Sequence, residues 1–417
     1  MNERKNTPIA SEDFRPGLRR RHRLGGIWRR GFKAAIAIGI VALAVLLVTI
    51  VNDAFGYVAV VNRVDPGSLS PDEAPLEELP KATLIEILQS NVSEGLFRRF
   101  ENDLAFEART AEDVTNLIYE YVVKPEVAEQ WTLIESVFQG ERIRSTFEAT
   151  HPGADLRFES WLDVAFVTQP QSADAMKAGV RTAILGSLWT ISIAFLFAFP
   201  VGVGAAIYLE EYASENTINR IIQTNINNLA GVPSIIYGML GLAIFVRALE
   251  RLTSGAFFGH GDATTANGRT IISAGMTLGL LILPLIIINS QEAIKAVSNS
   301  LREAALSLGA TRWQTVWSHV LPNAFPGIMT GTILAVSRAI GETAPLIVVG
   351  ASTYITVDPQ GPFSKFTTLP IQIYQWTTRP QDVFRNIAAA AIIVLLILLL
   401  SLNAVAVLLR NRFSSRV

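Results

Sequence analysis

Six long apolar blocks constrain the fold of this sequence more than any other feature. They cover residues 32–51, 182–209, 225–246, 271–288, 327–351 and 387–409. A helix of about 20 apolar residues crosses the roughly 30 Å hydrocarbon core of a bilayer. Half of the residues are apolar and only 17% are charged, as in a chain with little aqueous surface. We therefore predict an all-α polytopic membrane protein with six transmembrane helices.

Basic residues at both ends predict the orientation of the chain. They are Arg19, Arg20, Arg21, Arg23, Arg29 and Arg30 in the tail 1–31, and Arg410, Arg412 and Arg416, which follow the last block and reach into the C-terminal tail 411–417. Cytoplasmic flanks of membrane helices carry an excess of Lys and Arg. Because six spans return the chain to its starting side, we expect both termini in the cytoplasm. The block 32–51 is too long for a signal peptide and lacks an A-x-A-like site, so we expect an uncleaved anchor.

Residues 52–178 interrupt the apolar pattern. This stretch is polar and acidic, and the segment from Thr110 to Pro125 has the period of an amphipathic helix. Thr110 with Asp113 resembles a capping box, and Pro125 follows the end of the helix. We predict a small, mainly helical domain on the opposite side of the membrane from the termini.

The block 225–246 contains the string NNLAGVPSIIYGMLGLAIF, which is rich in helix-perturbing residues. These are Gly231, Pro233, Gly238 and Gly241. A membrane helix tolerates Gly and Pro where neighbours satisfy the freed backbone groups or pack closely. We predict a kinked helix that is tightly packed in a bundle.

Several classes of chemistry are not expected. The chain has no cysteine, hence no disulfide, thiol nucleophile or Cys-based metal site. Its four histidines, His22, His151, His260 and His319, form no ligand pair at helical spacing. No G-x-x-x-x-G-K-[ST] string is present, so we expect no ATP site here. We predict no catalytic residues, no metal and no cofactor bound by this chain, and an energy source in a partner.

The sequence between the fourth and fifth blocks predicts two short helices; we call residues 291–325 the helical loop. Ser300 with Glu303 matches a capping box for the first helix. Gly309 stands where a helix ends in the left-handed conformation. The first helix carries an apolar stripe of Leu301, Ala304, Ala305 and Leu308. We expect this stripe to face a partner.

The second helix of the loop begins with another capping box, Thr311 with Gln314. It carries Trp313 and Trp317, and we expect it to end at Pro322 because proline lacks the backbone N–H. A helix–glycine–helix unit with small side chains on one stripe is typical of a docking surface, because small side chains allow a groove of a partner protein to approach closely.

The helical loop resembles the EAA motif of ABC-importer permeases. The residues that carry the resemblance are Glu303, Ala304, Ala305, Gly309, Leu321 and Pro322. In that family the loop seats in a cleft of the ATPase subunit, so the resemblance implies that these six residues couple the chain to an ATPase. The usual isoleucine two residues before the Leu-Pro pair is His319 here, which weakens the expectation for that one contact.

The resemblance extends over roughly residues 179–410 and narrows to the PstA-type permeases of bacterial phosphate ABC transporters. It rests on the strings GVGAAIYLEEYA, NNLAGVPSIIYGMLGLAIF, LREAALSLGATRW, SRAIGETAPL and TLPIQIYQW. It implies a five-helix type I ABC-importer permease core at 179–410, a multi-pass position in the bacterial inner membrane, and a periplasmic location for 52–178.

The same resemblance implies the partners. They are a PstB-type ATPase that uses ATP and Mg²⁺, a PstC-type second permease in a heterodimer, a PstS-type periplasmic phosphate-binding protein, and membrane lipid. Nucleic acid is not expected. The role of 52–178, the anion selectivity and a part in phosphate signalling are left open by the sequence.

The fifth block contains ionisable residues, Arg338 and Glu342, at i,i+4 spacing. Such groups are costly in a membrane unless they are paired or face a polar cavity, so they mark a transport route by default. The planar donor fork of Arg suits phosphate, and Glu342 can accept the proton that monohydrogen phosphate carries. The resemblance also implies that Arg338, Glu342 and Thr343 line the substrate pathway. A purely structural ion pair is the alternative.

Two other functions remain open from the sequence. The chain can be a permease for another oxyanion such as sulfate, molybdate or phosphonate. It can also be a membrane sensor that reads a ligand through 52–178, although a sensor needs neither five further membrane helices nor a coupling loop.

Overall fold

Helices account for most of the computed structural model, which describes residues 14–70, 74–150, 155–259, 267–352 and 354–414. The chain divides into two units, Met1–Asn52 and Asp53–Val417. The tail residues 1–13 and 415–417, with Arg416, lie outside the described residues, and so do His151 and His260.

One long helix forms the first unit. Helix α1 spans Phe14–Asp53, and its segment Arg20–Asp53 is long and apolar enough to cross a membrane. The predicted block 32–51 is therefore helical, and the helix continues toward the N-terminus through the basic residues.

The second unit begins with an antiparallel sheet that the sequence did not predict. Strands β1 (Phe55–Asn62), β2 (Pro125–Gln130) and β3 (Asp155–Ser160) pair in the order β2-β1-β3. Phe55 lies opposite Ser160, and Asn62 lies opposite Pro125. The partners of β1 are distant in sequence, and only tertiary folding brings them together.

A helical lobe is inserted between β1 and β2. It comprises α2 (Pro66–Leu69), α3 (Lys81–Asn91), α4 (Glu94–Asp103), α5 (Ala111–Ile118) and a π-helical turn at Tyr119–Val123. It has its own apolar core, which includes Leu84, Leu88, Phe100, Val114 and Ile118. The predicted amphipathic helix after Thr110 is confirmed.

The predicted capping box at the start of α5 is also present. The backbone N–H and the hydroxyl of Thr110 donate to the carboxylate of Asp113, each at 2.8 Å. These hydrogen bonds favour the ionised carboxylate, and they hold the pKa of Asp113 below its ordinary value.

The sheet packs against the helix bundle through a shared apolar core. Helices α6 (Leu133–Phe138) and α7 (Gly140–Thr150) follow β2, and α8 (Val164–Thr168) follows β3. Val58 of β1 belongs to the same buried cluster as Trp161, Phe166, Trp376 and Phe384. The sheet is therefore fixed to the bundle, whereas the core of the helical lobe is separate.

The bundle contains eleven helices among the described residues. They are α9 (Arg181–Ile207), α10 (Thr217–Ala230), α11 (Ser234–Gly241), α12 (Glu250–Thr253), α13 (Ile271–Lys295), α14 (Asn299–Ser307), α15 (Arg312–Thr315), α16 (Leu321–Ile340), α17 (Ala344–Val349), α18 (Leu369–Thr377) and α19 (Val383–Ser414). Helix α13 is the most buried candidate span and packs on both α9 and α16.

The block 225–246 is not one kinked helix, as the sequence predicted. Helix α10 stops at Ala230 and α11 starts at Ser234, with a bend of 108° between Thr217–Ala230 and Ser234–Ala248. Pro233 explains the size of the bend, because proline lacks the N–H and disfavours helical geometry at the residue before it. The described residues thus contain five candidate spans, or six if the bent pair is one span.

The block 327–351 is also interrupted. Helix α16 ends at Ile340, and the separate helix α17 begins at Ala344. The helix at the end of the loop, in contrast, does not stop at Pro322 as expected. A π-helical turn at Val316–Val320 leads directly into α16, and Pro322 lies just after this turn inside the continuous helical run Arg312–Ile340.

Candidate functional site

The helical loop folds as two short helices around a glycine, as predicted. Gly309 follows α14 with a φ of +85°, in the left-handed region, and an added Cβ at Gly309 would meet nothing within 4 Å. The capping box of Thr311 with Gln314 is present at the start of α15. The first predicted box is wrong, because α14 begins earlier and its cap is Ser298, whose hydroxyl accepts from the Ser300 N–H at 3.3 Å.

The apolar stripe predicted on α14 is partly buried within this chain and partly exposed. Ala305 is buried within this chain, whereas Leu308 is 90% exposed. Glu303 and Ala304 are exposed as well, and Leu321 and Pro322 are partly buried at the start of α16. The structure therefore brings the six EAA-like residues into one loop, but only part of the set is presented outward.

The loop also exposes several large apolar side chains. Trp313 and Trp317 stack with their ring centroids 5.4 Å apart, and both are more than half exposed. Leu306 and Leu308 are exposed on α14. We call these four residues the outer loop surface. Exposed apolar clusters of this kind mark surfaces that contact a protein or a membrane.

An open cavity of about 660 Å³ lies beside α14. It is lined by Ala293, Ala296, Val297, Ser298, Ser300, Leu301, Ala304 and Asn323. None of these side chains carries a charge, so the lining offers no charged group to an anion.

Arg338 and Glu342 meet at the end of α16, as their spacing predicted. The Arg338 Nε donates to the Glu342 Oε1 at 3.3 Å, and 48% of the Arg338 side chain and 19% of the Glu342 side chain are exposed. Glu342 lies in the turn after the helix, and Thr343 precedes α17. Among the described residues, Glu342 is the only side chain that hydrogen-bonds Arg338.

The small residues of α16 face a neighbouring helix. An added Cβ at Gly331 would lie 2.3 Å from the Cβ of Asn289 on α13, which shows how closely the two helices approach. Ala335 is buried on the same stripe. In contrast to Ala335, the Arg338 side chain is nearly half exposed.

A polar network near the loop was not predicted from the sequence. Gln291, which is buried, donates to Glu210 and to Gln223 at 2.8 Å each. Arg302 donates to Glu211 at 2.8 Å. The sequence does contain a signal for it. Two adjacent acids, Glu210 and Glu211, directly follow the apolar block 182–209, and the basic residue Arg302 lies in the helical loop.

Among the described residues, no group of three or more His, Cys, Asp and Glu side chains could hold a metal ion. The arrangement at Arg338 and Glu342 instead offers one cationic fork and one carboxylate. These two groups can bind an oxyanion and exchange a proton with it.

Comparison with known proteins identifies the family. Residues 198–417 match the family described as binding-protein-dependent transport system inner membrane component. The chain is 34% identical over 218 residues to the probable ABC transporter permease protein YqgI of Bacillus subtilis, an alignment that covers 52% of this chain and 68% of that protein. It is 31% identical over 245 residues to the phosphate transport system permease protein PstA of Haemophilus influenzae, covering 58% of this chain and 79% of that protein.

A solved structure also aligns with the chain, with a TM-score of 0.45 and 16% identity. It is the crystal structure of a bacterial alginate ABC transporter in complex with an alginate pentasaccharide-bound periplasmic protein, and the alignment covers 77% of this chain and 99% of that chain.

The matched family consists of transport components and not of enzymes, and the candidate spans make this chain a multi-pass membrane protein. The family match covers more than half of the chain, including the helical loop and the Arg338–Glu342 pair. The chain therefore belongs to the inner-membrane components of binding-protein-dependent transport systems, the permease subunits of ABC importers.

Proposed function

We propose that this chain is the permease subunit of an ATP-driven importer that moves inorganic phosphate into the cytoplasm. The observation that carries the proposal is the Arg338–Glu342 pair at the end of α16, in which a half-exposed arginine side chain lies beside a carboxylate. The likeness to a phosphate permease over 79% of that protein's length supports phosphate as the substrate.

The chemistry of the pair favours phosphate over sulfate. The Arg338 fork suits two oxygens of either anion. Glu342 adds a carboxylate, which repels sulfate but accepts a hydrogen bond from monohydrogen phosphate, because that anion carries a proton. In this proposal Arg338 and Glu342 bind the anion during its passage, and Thr343 adds a hydroxyl beside them.

The energy comes from a separate ATPase in this proposal. The outer loop surface is the docking element, and Gly309 sets the angle between its two helices. The remaining partners are a second permease of the PstC type, an ATPase of the PstB type that uses ATP and Mg²⁺, and a periplasmic binding protein of the PstS type. The helical loop and both termini then face the cytoplasm, and residues 52–178 face the periplasm.

Co-purification of the complex, followed by its ATP hydrolysis in nanodiscs, tests this proposal. The wild-type complex should hydrolyse ATP faster when phosphate-loaded binding protein is added and should not respond to sulfate. Leu308→Asp should weaken co-purification of the ATPase, because a carboxylate at this position would be buried without a partner in the interface.

Gly309→Val should have a similar effect for a different reason. The left-handed conformation costs a non-glycine residue roughly 1–2 kcal/mol, and the space around Gly309 is open, so the strain comes from the backbone alone. Gly309→Asn is the matched control, because Asn tolerates this conformation better than Val does. Normal ATPase binding by both Leu308→Asp and Gly309→Val would exclude the loop as the docking element.

A further inference from the structure

Arg302 joins three elements of the bundle with one side chain. Its Nε and Nη2 both donate to the Glu211 Oε1, at 3.0 and 2.8 Å. The Nη2 also donates to the carbonyl of Ile294 at 2.9 Å, and the Nη1 donates to the carbonyl of Val297 at 2.6 Å. Arg302 belongs to α14, and Glu211 lies in the π-helical turn Tyr208–Tyr212 that continues α9. Ile294 lies in the last turn of α13, and Val297 follows shortly after the end of that helix.

This contact is well shielded from solvent. Only 18% of the Arg302 side chain and 11% of the Glu211 side chain are exposed. The guanidinium is planar, and its donors point in fixed directions. Four hydrogen bonds from one rigid group therefore hold α14 in a defined position relative to both membrane helices.

The two adjacent acids of the π-helical turn Tyr208–Tyr212 contact different elements. Glu211 binds Arg302 of the loop, whereas Glu210 accepts from Gln291 of α13 at 2.8 Å. Gln291 also donates to Gln223 of α10 at 2.8 Å. A displacement of α14 would thus move Glu211 through its contact with Arg302. The neighbouring Glu210 connects the same turn to α13 and, through Gln291, to α10.

The network leads toward the candidate substrate pathway. Helix α10 continues through the sharp break into α11, and α11 packs on α17. Helix α17 starts directly after Glu342 and Thr343. A continuous series of packed elements therefore connects the loop to the turn that holds Glu342.

We propose that the Arg302–Glu211 ion pair transmits movement of the helical loop to the membrane helices, so that Arg302 and Glu211 are positioning residues for coupling. The inference rests on the proposed function, since it takes the loop to be the element that an ATPase moves. The contact that transmits the movement therefore lies inside this chain. It is separate from the outer loop surface, which binds the ATPase in the proposed function.

A charge exchange tests the inference in the full complex. The measured quantity is the ratio of ATP hydrolysis with phosphate-loaded binding protein to hydrolysis without it. Arg302→Glu and Glu211→Arg should each lower this ratio on the order of tenfold, the usual size of a coupling between sites. ATPase co-purification should remain normal, because neither residue belongs to the outer loop surface. The double variant Arg302→Glu with Glu211→Arg should recover part of the ratio, since it restores the ion pair but not the hydrogen bonds to the two carbonyls.

Lys295→Gln is the matched control. Lys295 forms an ion pair with Glu210 at 3.4 Å in the same region, but its side chain is 54% exposed and does not belong to α14. Glu210 keeps its hydrogen bond from Gln291 in this variant. The ratio should therefore stay at the wild-type value.

Glu211→Gln is a milder variant that tests the inference even if the charge-reversal variants fail to assemble. It has nearly the same shape and keeps an acceptor oxygen, so the complex should form, and the ratio should fall because the charge is lost. A normal ratio in Glu211→Gln, or a charge exchange that assembles but recovers nothing, would overturn the inference. Failure of the proposed function is distinct, because the wild-type complex itself would then not respond to phosphate.

Discussion

At the scale of single residues, substitutions of Arg338 and Glu342 can distinguish a role in transport from a purely structural role of this pair. Nearly half of the Arg338 side chain is exposed, so a substitution at this position removes little packing. Arg338→Gln should therefore abolish phosphate uptake while the thermal stability and the ATPase binding of the complex change little. Arg338→Lys keeps the charge but loses the fork, so partial uptake is expected.

The double variant Arg338→Gln with Glu342→Gln is the deciding control for this pair, because no lone charge remains. We expect it to assemble normally and to carry no phosphate, as measured by uptake into proteoliposomes. If the double variant transported phosphate like the wild type, the pair would be structural and the pathway assignment would be wrong.

Local residue patterns predicted local geometry well. The left-handed Gly309 and the capping boxes of Thr110 and Thr311 follow from residue preferences within one turn of chain. The bond between Arg302 and Glu211 did not follow, because these residues are 91 positions apart and only the tertiary fold brings them together. The burial of Ala305 did not follow either, because it depends on how α14 packs against the rest of the chain.

At the scale of elements, the apolar blocks predicted where helices lie but not where they break. The string GVP at residues 231–233 predicts only a kink, whereas the helices on its two sides are bent by 108°. The three-stranded sheet was missed altogether. Strand β1 is short and follows the first apolar block directly, and its partner β3 begins more than 90 residues later.

The helical lobe between β1 and β2 should be dispensable for transport. Its apolar core is separate from the core that the sheet shares with the bundle, and the exposed Lys177–Glu120 ion pair that links it to the bundle side contributes little. The Val64 N–H donates to the Val123 carbonyl at 3.2 Å, so an Asn-Gly turn in place of residues 65–122 should close β1 and β2 as a hairpin. We expect such a variant to assemble, to lose uptake only modestly and to keep its anion selectivity.

Removal of the whole segment 53–178 is the contrasting variant. It would uncover Trp376 and Phe384, which the sheet and its flanking residues help to bury. The complex should then lose thermal stability or fail to assemble. If the hairpin variant bound phosphate normally but no longer discriminated against sulfate, the lobe would be a selectivity element and not an accessory one.

At the scale of the whole molecule, the orientation in the membrane can be measured directly, because the chain has no cysteine. Ser90→Cys in α3 and Ser307→Cys in α14 place single thiols at exposed positions on opposite predicted sides. An impermeant thiol reagent added to intact spheroplasts should modify Ser90→Cys and leave Ser307→Cys unmodified until the membrane is opened. The reverse pattern would contradict the proposed orientation.

The most direct measurement of the central claim is ATP-driven uptake of labelled phosphate by proteoliposomes that contain this chain with the proposed second permease, ATPase and binding protein. We predict uptake that requires ATP, that unlabelled phosphate suppresses and that an equal concentration of sulfate leaves unchanged. Uptake of labelled sulfate in place of phosphate, or suppression of phosphate uptake by sulfate, would contradict the assignment.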